Sequence, residues 1–476
     1  MLRDLKTKLP IFIIALSVFT TSSHPILVCQ TKPDTSSAGT WQGTLEGGGA
    51  KLRVVFHVSK TDSGKYSATF DSPDQNAFGI PFSSVAIAND SIHLVAGLIG
   101  STYDGKFTPT KSAMMGVWRQ HGGAAELKME RTTIASLVFE MKRPQEPKPP
   151  YPYKSEEVSF GSNLTGMKYT GTLTVPDSGG HFPATILITG SGVHDRNEDI
   201  FGHKPFLVLA DYLTRRGIAV LRVDDRGVGG STGNKMEAAL LDHAEDVVAE
   251  IEFLKTRPEI DSNRIGLIGH SEGGIVAPIV AAKASNVAFV VLMAGPGVPG
   301  YQLILDQLIL LDRVAGVSDS STNIALKLEK KVLNIAMVEK DSVKAVDNLR
   351  TILETEAGEP AVAANAEISQ LLSPSYRSLL SYDPRPTLEQ VKCPVLALWG
   401  SKDLEIPPAE NLPAVENALK KGGNKDFKVV EIPGLNHLFQ DANTGSPNEY
   451  AQIKRTFSQD ALKLIGDWIV EETGEK

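Results

Sequence analysis

The sequence predicts a doubly wound, mostly parallel α/β sheet preceded by a small all-β antiparallel barrel or sandwich. Beyond about residue 155, apolar strand segments alternate with amphipathic helical segments, and this order builds a parallel sheet with helical crossovers. Before about residue 141, apolar and polar residues alternate in short runs separated by turn residues. A proline-rich stretch lies between the two patterns.

The length of the chain bounds the number of domains, and its net charge opposes one class of partner. The 476 residues provide for two or three domains, and a composition of 41% hydrophobic and 22% charged residues is ordinary for a globular protein. The formal net charge is −8. An acidic balance opposes the binding of phosphate groups, so we expect no nucleic-acid partner.

The first thirty residues have the order of a signal peptide. Arg3, Lys6 and Lys8 precede the apolar run 11–19, and small polar residues follow at 20–23. The apolar run is short for a bilayer span. We therefore predict a signal peptide at 1–30, export to the periplasm or the medium, and no stable membrane insertion after its removal. An N-terminal membrane anchor is the alternative.

Cys29 raises a third possibility, which is lipid attachment after cleavage. Leu27 and Val28 are bulky, however, where a lipoprotein signal requires small residues. The sequence favours a leader that is removed without lipidation.

The segment 38–141 shows the alternation of half-buried strands. Leu52, Val54, Phe56 and Val58 alternate with polar neighbours, and similar runs follow. About eight short strands with turns between them are typical of a small antiparallel barrel or sandwich. We predict an all-β domain over these residues.

The run 142–153 contains four prolines before Tyr151. Proline favours extended geometry and donates no backbone hydrogen bond, so such a run does not join a sheet. We predict a linker here, followed by an α/β domain at 154–474.

The α/β pattern is interrupted once. Residues 301 to about 380 contain no convincing strand, and Ile324, Leu328, Val332 and Ile335 share one helical face. We predict a helical insertion that lies as a cap over the strand ends. The strands on either side of it are expected at 184–189, 218–223, 264–269, 289–293, 395–399 and 427–432.

The strongest chemical signal is Gly269-His-Ser271-Glu-Gly273, which follows a predicted strand and precedes a predicted helix. A serine nucleophile at a sharp strand-to-helix turn needs small neighbours two residues away on each side. The helix N-terminus behind it supplies backbone donors and a positive dipole end. Ser271 is the predicted nucleophile.

A nucleophilic serine needs a base, and the base needs an orienting acid. His437 is the one histidine that follows Ser271, and it comes directly after the last predicted strand. Asp403 follows the strand before that and is the predicted acid, with Glu405 as the alternative. Because the neutral imidazole is the base, activity should rise through one ionisation at roughly pH 6–7.

The oxyanion of a tetrahedral intermediate needs two donors. One is expected from the backbone N–H of Glu272, directly after the nucleophile. The other is expected from the loop 189–193, at Ser191 or alternatively Gly192. No lysine follows this glycine-rich loop at the spacing that phosphate binding requires.

Together these motifs resemble the α/β-hydrolases. From about 156 to 472 the chain is similar to bacterial secreted or periplasmic esterases of that superfamily, distant relatives of the prolyl oligopeptidase and acyltransferase/thioesterase branches. The resemblance rests on five motifs: 189–196, 225–233, 266–274, 399–403 and 435–437. It implies carboxylesterase activity on short acyl esters. Thr189 stands where many lipases have a histidine, which leaves the second oxyanion donor open.

The expected reaction is hydrolysis of a small-molecule acyl ester through an acyl-enzyme, without cofactor or metal. Thioesterase, acyltransferase and serine peptidase activities use the same triad and remain alternatives, as does a binding protein on an inactive scaffold. The all-β domain is too short for the propeller of a prolyl oligopeptidase, since each blade needs roughly 40 residues. The sequence leaves the oligomeric state open.

Overall fold

The computed structural model describes residues 37–474, apart from 48–49, 61–64, 74–76, 97–100, 121–122, 133–142, 284–285 and 358–360. The predicted signal peptide and Cys29 therefore lie outside the described residues. The chain forms two compact units. The first contains the described residues before Arg143 together with Ile200–Gly202 and Asp312–Leu371, and the second contains the remainder.

The first unit contains one antiparallel sheet of nine strands in the order β4-β3-β2-β1-β9-β8-β7-β6-β5. This confirms the all-β prediction, with one strand more than the roughly eight expected from turn spacing. The strands are β1 (Gly39–Gly47), β2 (Ala50–Lys60), β3 (Tyr66–Ser72), β4 (Ala77–Pro81), β5 (Ser84–Ala88), β6 (Ser91–Ala96), β7 (Ser101–Phe107), β8 (Ala113–Gln120) and β9 (Gly123–Thr132).

An aromatic core holds this sheet together. Phe56 of β2 lies 5.3 Å from Tyr103 of β7 and 6.1 Å from Trp118 of β8, measured between ring centroids. Since β5 also contacts β3, the sheet curls around these rings as half of a barrel. The alternation of β2 follows from this arrangement, because every second side chain faces the enclosed core.

The second unit contains an eight-stranded sheet in the order β10-β11-β13-β12-β14-β15-β16-β17. The strand β11 pairs antiparallel with both of its neighbours, β10 and β13, and the six strands from β12 to β17 pair in parallel, which confirms the predicted α/β class. They are β10 (Tyr153–Gly161), β11 (Lys168–Pro176), β12 (Phe182–Ile188), β13 (Ala219–Val223), β14 (Ile260–His270), β15 (Val290–Met293), β16 (Val395–Gly400) and β17 (Phe427–Ile432).

Helices alternate with these strands. They are α1 (Pro205–Thr214), α2 (Leu240–Lys255), α3 (Gly273–Lys283), α4 (Gly300–Val314), α5 (Asp319–Val338), α6 (Ser342–Thr351), α7 (Ala361–Leu371), α8 (Pro374–Ser381), α9 (Arg385–Leu388), α10 (Pro408–Lys421) and α11 (Gln459–Thr473). Six of them, α4 to α9, fall between β15 and β16, where the described residues contain no strand. The inserted segment is therefore helical, as the sequence predicts.

The loops that carry the predicted site residues all follow parallel strands. The loop after β12 begins at Thr189, Ser271 follows β14, Asp403 lies three residues after β16, and His437 follows β17. The carboxyl ends of parallel strands meet at one edge of a sheet, which is where doubly wound folds bind ligands.

Candidate active site

Ser271 lies on a strained turn between β14 and α3. Its φ of 53° is in the left-handed region that side chains other than glycine rarely adopt. Its N–H donates to the Met293 carbonyl at 2.9 Å, and its carbonyl accepts the N–H of Gly274 at 2.8 Å. These bonds hold the turn in a conformation that projects the serine side chain beyond the strand end.

The turn is possible because its flanking residues lack a side chain. A Cβ on Gly269 would lie 2.0 Å from the Gly273 carbonyl oxygen, and a Cβ on Gly273 would lie 2.3 Å from the Ile188 carbonyl oxygen. Both distances are far below van der Waals contact. The spacing of glycines around Ser271 is therefore a packing requirement of this turn.

The side chains of His437 and Asp403 meet in a buried pair. Nδ1 of His437 lies 2.9 Å from Oδ2 of Asp403. The other carboxylate oxygen, Oδ1, accepts the N–H groups of Glu405 at 2.9 Å and Ile406 at 2.8 Å. Because an ionised carboxylate can only accept, this geometry places a proton on Nδ1 and leaves Nε2 to act on a substrate.

The side chain of Glu405 contacts the other nitrogen of the same imidazole. Its Oε2 lies 3.9 Å from Nε2 of His437, and its Oε1 accepts a hydrogen bond from the Tyr450 hydroxyl at 2.9 Å. The sequence singled out Glu405 only as an alternative to Asp403. The sequence contained no signal for Tyr450, which meets Glu405 from a short 3₁₀ helix at Pro447–Gln452.

These carboxylates change the ionisation of His437. Burial alone would lower the pKa of His437, but the negative charges of Asp403 and Glu405 raise it to about 9. The neutral imidazole would then predominate only above that pH. The ionisation at roughly pH 6–7 that the sequence predicts for this histidine assumes an unperturbed imidazole, and the pKa in this site lies above that range.

The loop after β12 lies beside the serine. A Cβ on Gly190 would come within 3.2 Å of the Ser271 Cβ. Ser191 is exposed, and Gly192 has a φ of 95°. Within the described part of the chain, the structure records no acceptor for the backbone N–H groups of Ser191 and Glu272. Both predicted donors are thus available to an external oxygen.

A buried lysine makes hydrogen bonds to the same loop. Nζ of Lys235 donates to Oγ1 of Thr189 at 3.0 Å, to the Gly190 carbonyl at 3.0 Å and to Oδ2 of Asp225 at 2.8 Å. Asp225 in turn accepts the N–H of His194 at 2.7 Å. Sequence reasoning found the motif around Asp225 but missed Lys235, because a single lysine has no distinguishing pattern.

A second buried group connects three loops. Oε1 of Glu198 accepts the N–H of Gly190 at 2.7 Å and lies 2.9 Å from Nδ1 of His270. Nε2 of His270 lies 3.0 Å from the His437 carbonyl oxygen, which can only accept. Sequence reasoning missed the contact between His270 and Glu198, which only the fold brings together.

The ionisation of Glu198 is set by the groups around it. Burial raises the pKa of Glu198, but the opposing effects of His270, His194 and the Gly190 N–H leave it below the ordinary value. The Glu198 carboxylate thus faces Nδ1 of His270, and the His437 carbonyl oxygen faces Nε2 of the same ring.

The Glu272 side chain is buried. It lines a cavity of about 50 Å³ together with Lys235, His243 and Glu250. Oε1 of Glu272 lies 3.3 Å from Nδ1 of His243. Burial and the repulsion of Asp246 and Asp225 raise the pKa of Glu250 well above its ordinary value. This buried setting leaves the backbone N–H of Glu272, rather than its carboxylate, as the group available to a substrate.

No three His, Cys, Asp or Glu side chains of the described residues form a group suited to hold a metal ion. None of the helices in the described ranges combines the length and apolar character that crossing a bilayer requires.

The fold and the turn at Ser271 define an α/β hydrolase. The Alpha/beta hydrolase family matches this chain over residues 186–453, which is more than half of its length. The chain belongs to that family.

Individual relatives are more distant. Esterase EstD of Thermotoga maritima is 25% identical over 342 residues, which cover 71% of this chain and 74% of the relative. An uncharacterized protein of Mycobacterium tuberculosis is 29% identical over 184 residues, which cover 35% of this chain and 62% of the relative. Among solved structures, the alpha/beta hydrolase GrgF of Penicillium sp. sh18 is 17% identical, with a TM-score of 0.44, and the match covers 68% of this chain and 100% of that protein.

Proposed function

We propose that the protein is a serine carboxylesterase that hydrolyses short acyl esters of small molecules through an acyl-enzyme. The observation that carries the proposal is Ser271 on its strained turn, with the buried Asp403–His437 pair on neighbouring strand ends. The similarity to an esterase of Thermotoga maritima supports an ester as the substrate.

In the first half of the reaction, Oγ of Ser271 attacks the ester carbonyl and His437 accepts its proton on Nε2. Asp403 stabilises the resulting imidazolium through Nδ1. The backbone N–H groups of Glu272 and of Ser191 or Gly192 bind the oxyanion. His437 then protonates the leaving alkoxide, which departs as the alcohol and leaves the acyl group on the serine.

In the second half, a water molecule attacks the acyl-enzyme while His437 again accepts a proton. The tetrahedral intermediate collapses, His437 returns the proton to Oγ of Ser271, and the carboxylic acid leaves. Every proton moved in this scheme passes through Nε2 of His437, so the groups around that nitrogen affect both halves of the reaction. No cofactor or metal takes part in the proposed steps.

We propose further that the protein is exported. The order of basic, apolar and small polar residues at 1–30 supports this, and it is the order of a cleavable leader. N-terminal sequencing of the protein recovered from the periplasm or the medium should begin between Ser23 and Gln30. A full-length chain retained in the cytoplasm would contradict export.

The central test is covalent labelling with an organophosphonate ester. The native protein should gain one label on Ser271, and Ser271→Ala should gain none. Ser191→Ala is the matched control, because it removes a nearby hydroxyl while keeping the backbone N–H that the mechanism uses. Labelling of Ser271→Ala at the native rate would contradict the assigned nucleophile.

The substrate class requires a separate measurement. Turnover of an ester, a thioester and an amide with the same acyl group distinguishes esterase from thioesterase and peptidase activity. We expect the short-chain ester to have the highest kcat/KM. A kcat/KM that is highest for the amide would contradict the carboxylesterase proposal while leaving the nucleophile intact.

A further inference from the structure

The imidazole of His437 lies between two carboxylates, one at each ring nitrogen. Asp403 contacts Nδ1 at 2.9 Å, and Glu405 contacts Nε2 at 3.9 Å. The proposed mechanism needs one acid, at Nδ1, while Nε2 exchanges protons with Ser271 and the leaving group. Glu405, the second carboxylate, therefore lies beside the nitrogen that transfers protons in the proposed mechanism.

Several contacts hold Glu405 in this position. Its Oε1 accepts from the hydroxyl of Tyr450, which is itself fully buried. Its backbone N–H donates to Oδ1 of Asp403, and its carbonyl accepts from the Gln307 amide at 2.6 Å. The residue is thus fixed at both its backbone and its carboxylate, although its side chain is 33% exposed.

The other charged groups around His437 are already paired. Asp403 accepts three hydrogen bonds, one of them from Nδ1. Glu198 acts on His437 from a distance but is bonded to His270, whose ring centroid lies 4.7 Å from that of His437. Glu405 is the carboxylate that meets Nε2 directly.

The two protonation states of His437 interact differently with this carboxylate. An imidazolium presents an N–H to Glu405 and is attracted by its charge. A neutral imidazole that keeps its proton on Nδ1 presents a lone pair instead, which a carboxylate does not bind. The neutral ring is then available to accept the proton of Ser271.

We infer that Glu405 is a positioning residue, which holds protonated His437 at Nε2 and releases it to Ser271 when His437 loses that proton. The inference rests on the proposed triad. It makes the enzyme most active under alkaline conditions, because Asp403 and Glu405 both oppose deprotonation of the base. Glu198 acts in the same direction, and His270, whose ring packs beside that of His437, is bonded to Glu198.

The test is the pH dependence of kcat/KM for a short acyl ester. In Glu405→Gln, the midpoint of the acid limb should fall by about one pH unit or more, because one negative charge beside His437 is removed. One unit below the native midpoint, activity relative to the alkaline plateau should then rise about fivefold. Tyr450→Phe frees Glu405 from its anchor and should give a smaller shift in the same direction.

A second measurement does not depend on turnover. In the Ser271→Ala background, the His437 imidazole can be titrated by nitrogen-15 NMR, with its resonances assigned by their loss in His437→Gln. Adding Glu405→Gln should lower the titration midpoint of His437 by about one unit. If the glutamine variant does not fold, Glu405→Asp takes its place. It shortens the side chain and moves the charge away from Nε2, so the titration midpoint of His437 should again fall.

The outcomes separate the two proposals. If Glu405→Gln changes neither the pH midpoint of the acid limb nor the NMR midpoint, and Ser271 is still labelled by the phosphonate, the role of Glu405 is overturned and the proposed function is not. Failure to label Ser271 in the native protein would instead contradict the proposed function. The inference is supported if Glu405→Gln lowers both the NMR titration midpoint of His437 and the pH midpoint of the acid limb.

Discussion

At the scale of single residues, the two acids beside His437 differ in what they bind. Asp403 is fully buried and directs both oxygens to hydrogen-bond donors, one of them Nδ1. Glu405 is partly exposed and meets Nε2 at a distance longer than a hydrogen bond. A position near a base is therefore insufficient to identify the orienting acid, because the nitrogen that each acid contacts determines its effect.

We expect Asp403→Asn to lower kcat by up to about 10⁴-fold, because an amide can donate to Nδ1 and stabilise the wrong tautomer. Steady-state kinetics at the alkaline plateau measure the loss. Glu405→Gln is the matched control and should retain most of kcat there. Near-normal turnover in Asp403→Asn with an inactive Glu405→Gln would assign the orienting role to Glu405 instead.

Glu198→Gln should lower kcat by about tenfold to a hundredfold while KM changes little. The substitution keeps an acceptor for the Gly190 N–H but removes the charge paired with His270, so the loops that carry Gly190 and His437 shift. Glu245→Gln, at an exposed glutamate, is the control. Equal activity in both variants would contradict a role for the buried pair.

The same variant tests a pH dependence of stability. The pKa of Glu198 is lowered in the folded protein, so its ionised form contributes stability above its ordinary pKa of about 4.5. That contribution is lost as pH falls through the lowered value. The difference in Tm between the native protein and Glu198→Gln should be full at pH 7 and shrink below pH 4.5. A difference that grows with acidity would contradict an ionised Glu198.

At the scale of elements, the turn between β14 and α3 depends on close backbone approach. The glycines at 269 and 273 each lie where a Cβ would overlap a carbonyl oxygen. The strand-to-helix turn and its serine therefore form one unit, in which the φ of Ser271 is maintained by the packing around it.

Gly273→Ala should destabilise the protein by about 1–3 kcal/mol or more, because its Cβ would lie 2.3 Å from the Ile188 carbonyl oxygen. Labelling of Ser271 by the phosphonate should slow in parallel, since relief of the overlap moves the turn. Gly180→Ala is the control, because no atom lies within 4 Å of its Cβ position. Thermal unfolding checks the first effect, and an equal Tm in both alanine variants would contradict it.

Most strands of the second sheet could be predicted from sequence to within a few residues. The parallel strands β12 to β17 are continuous apolar runs because helices cover them. The antiparallel strands β10 and β11 were missed. In β10 the residues 154–157 are exposed and polar, and such a run lacks the apolar signature of a buried strand.

At the scale of the whole molecule, the run predicted as a linker at 142–153 makes hydrogen bonds to the hydrolase unit. These bonds come from the first described residues of the run. The Arg143 guanidinium donates to the carbonyls of Ala451 and Ile453. The Gln145 side chain exchanges two hydrogen bonds with the backbone of Phe457, at 2.7 and 2.8 Å. The prolines still exclude residues 143–152 from the sheet, which begins at Tyr153, but they do not prevent side chains between them from bonding to that unit. A boundary at 142–153 between separately folding domains remains a prediction.

Arg143→Ala should destabilise the full chain by about 1–3 kcal/mol, because it removes the side chain that donates to two backbone carbonyls of this unit. Lys148→Ala, at an exposed residue of the same run, is the control and should be within about 0.5 kcal/mol of the native protein. Thermal unfolding of the three proteins gives the comparison. Equal midpoints for the two variants would indicate that the run contributes nothing to the stability of the unit.

The sequence by itself determined the features that depend on neighbouring residues. The serine turn, the parallel strands and the order Ser271, Asp403, His437 are local patterns with specific steric or hydrophobic requirements. Only the tertiary structure decided which distant groups meet them. Lys235 meets Gly190, Glu198 meets His270 and Tyr450 meets Glu405 across tens of residues of chain. A buried charge leaves no periodic trace in sequence, because what it requires is a partner in space. The charge state of His437, the proposed base, depends on such partners, which is why its pKa followed from the fold and not from the motif.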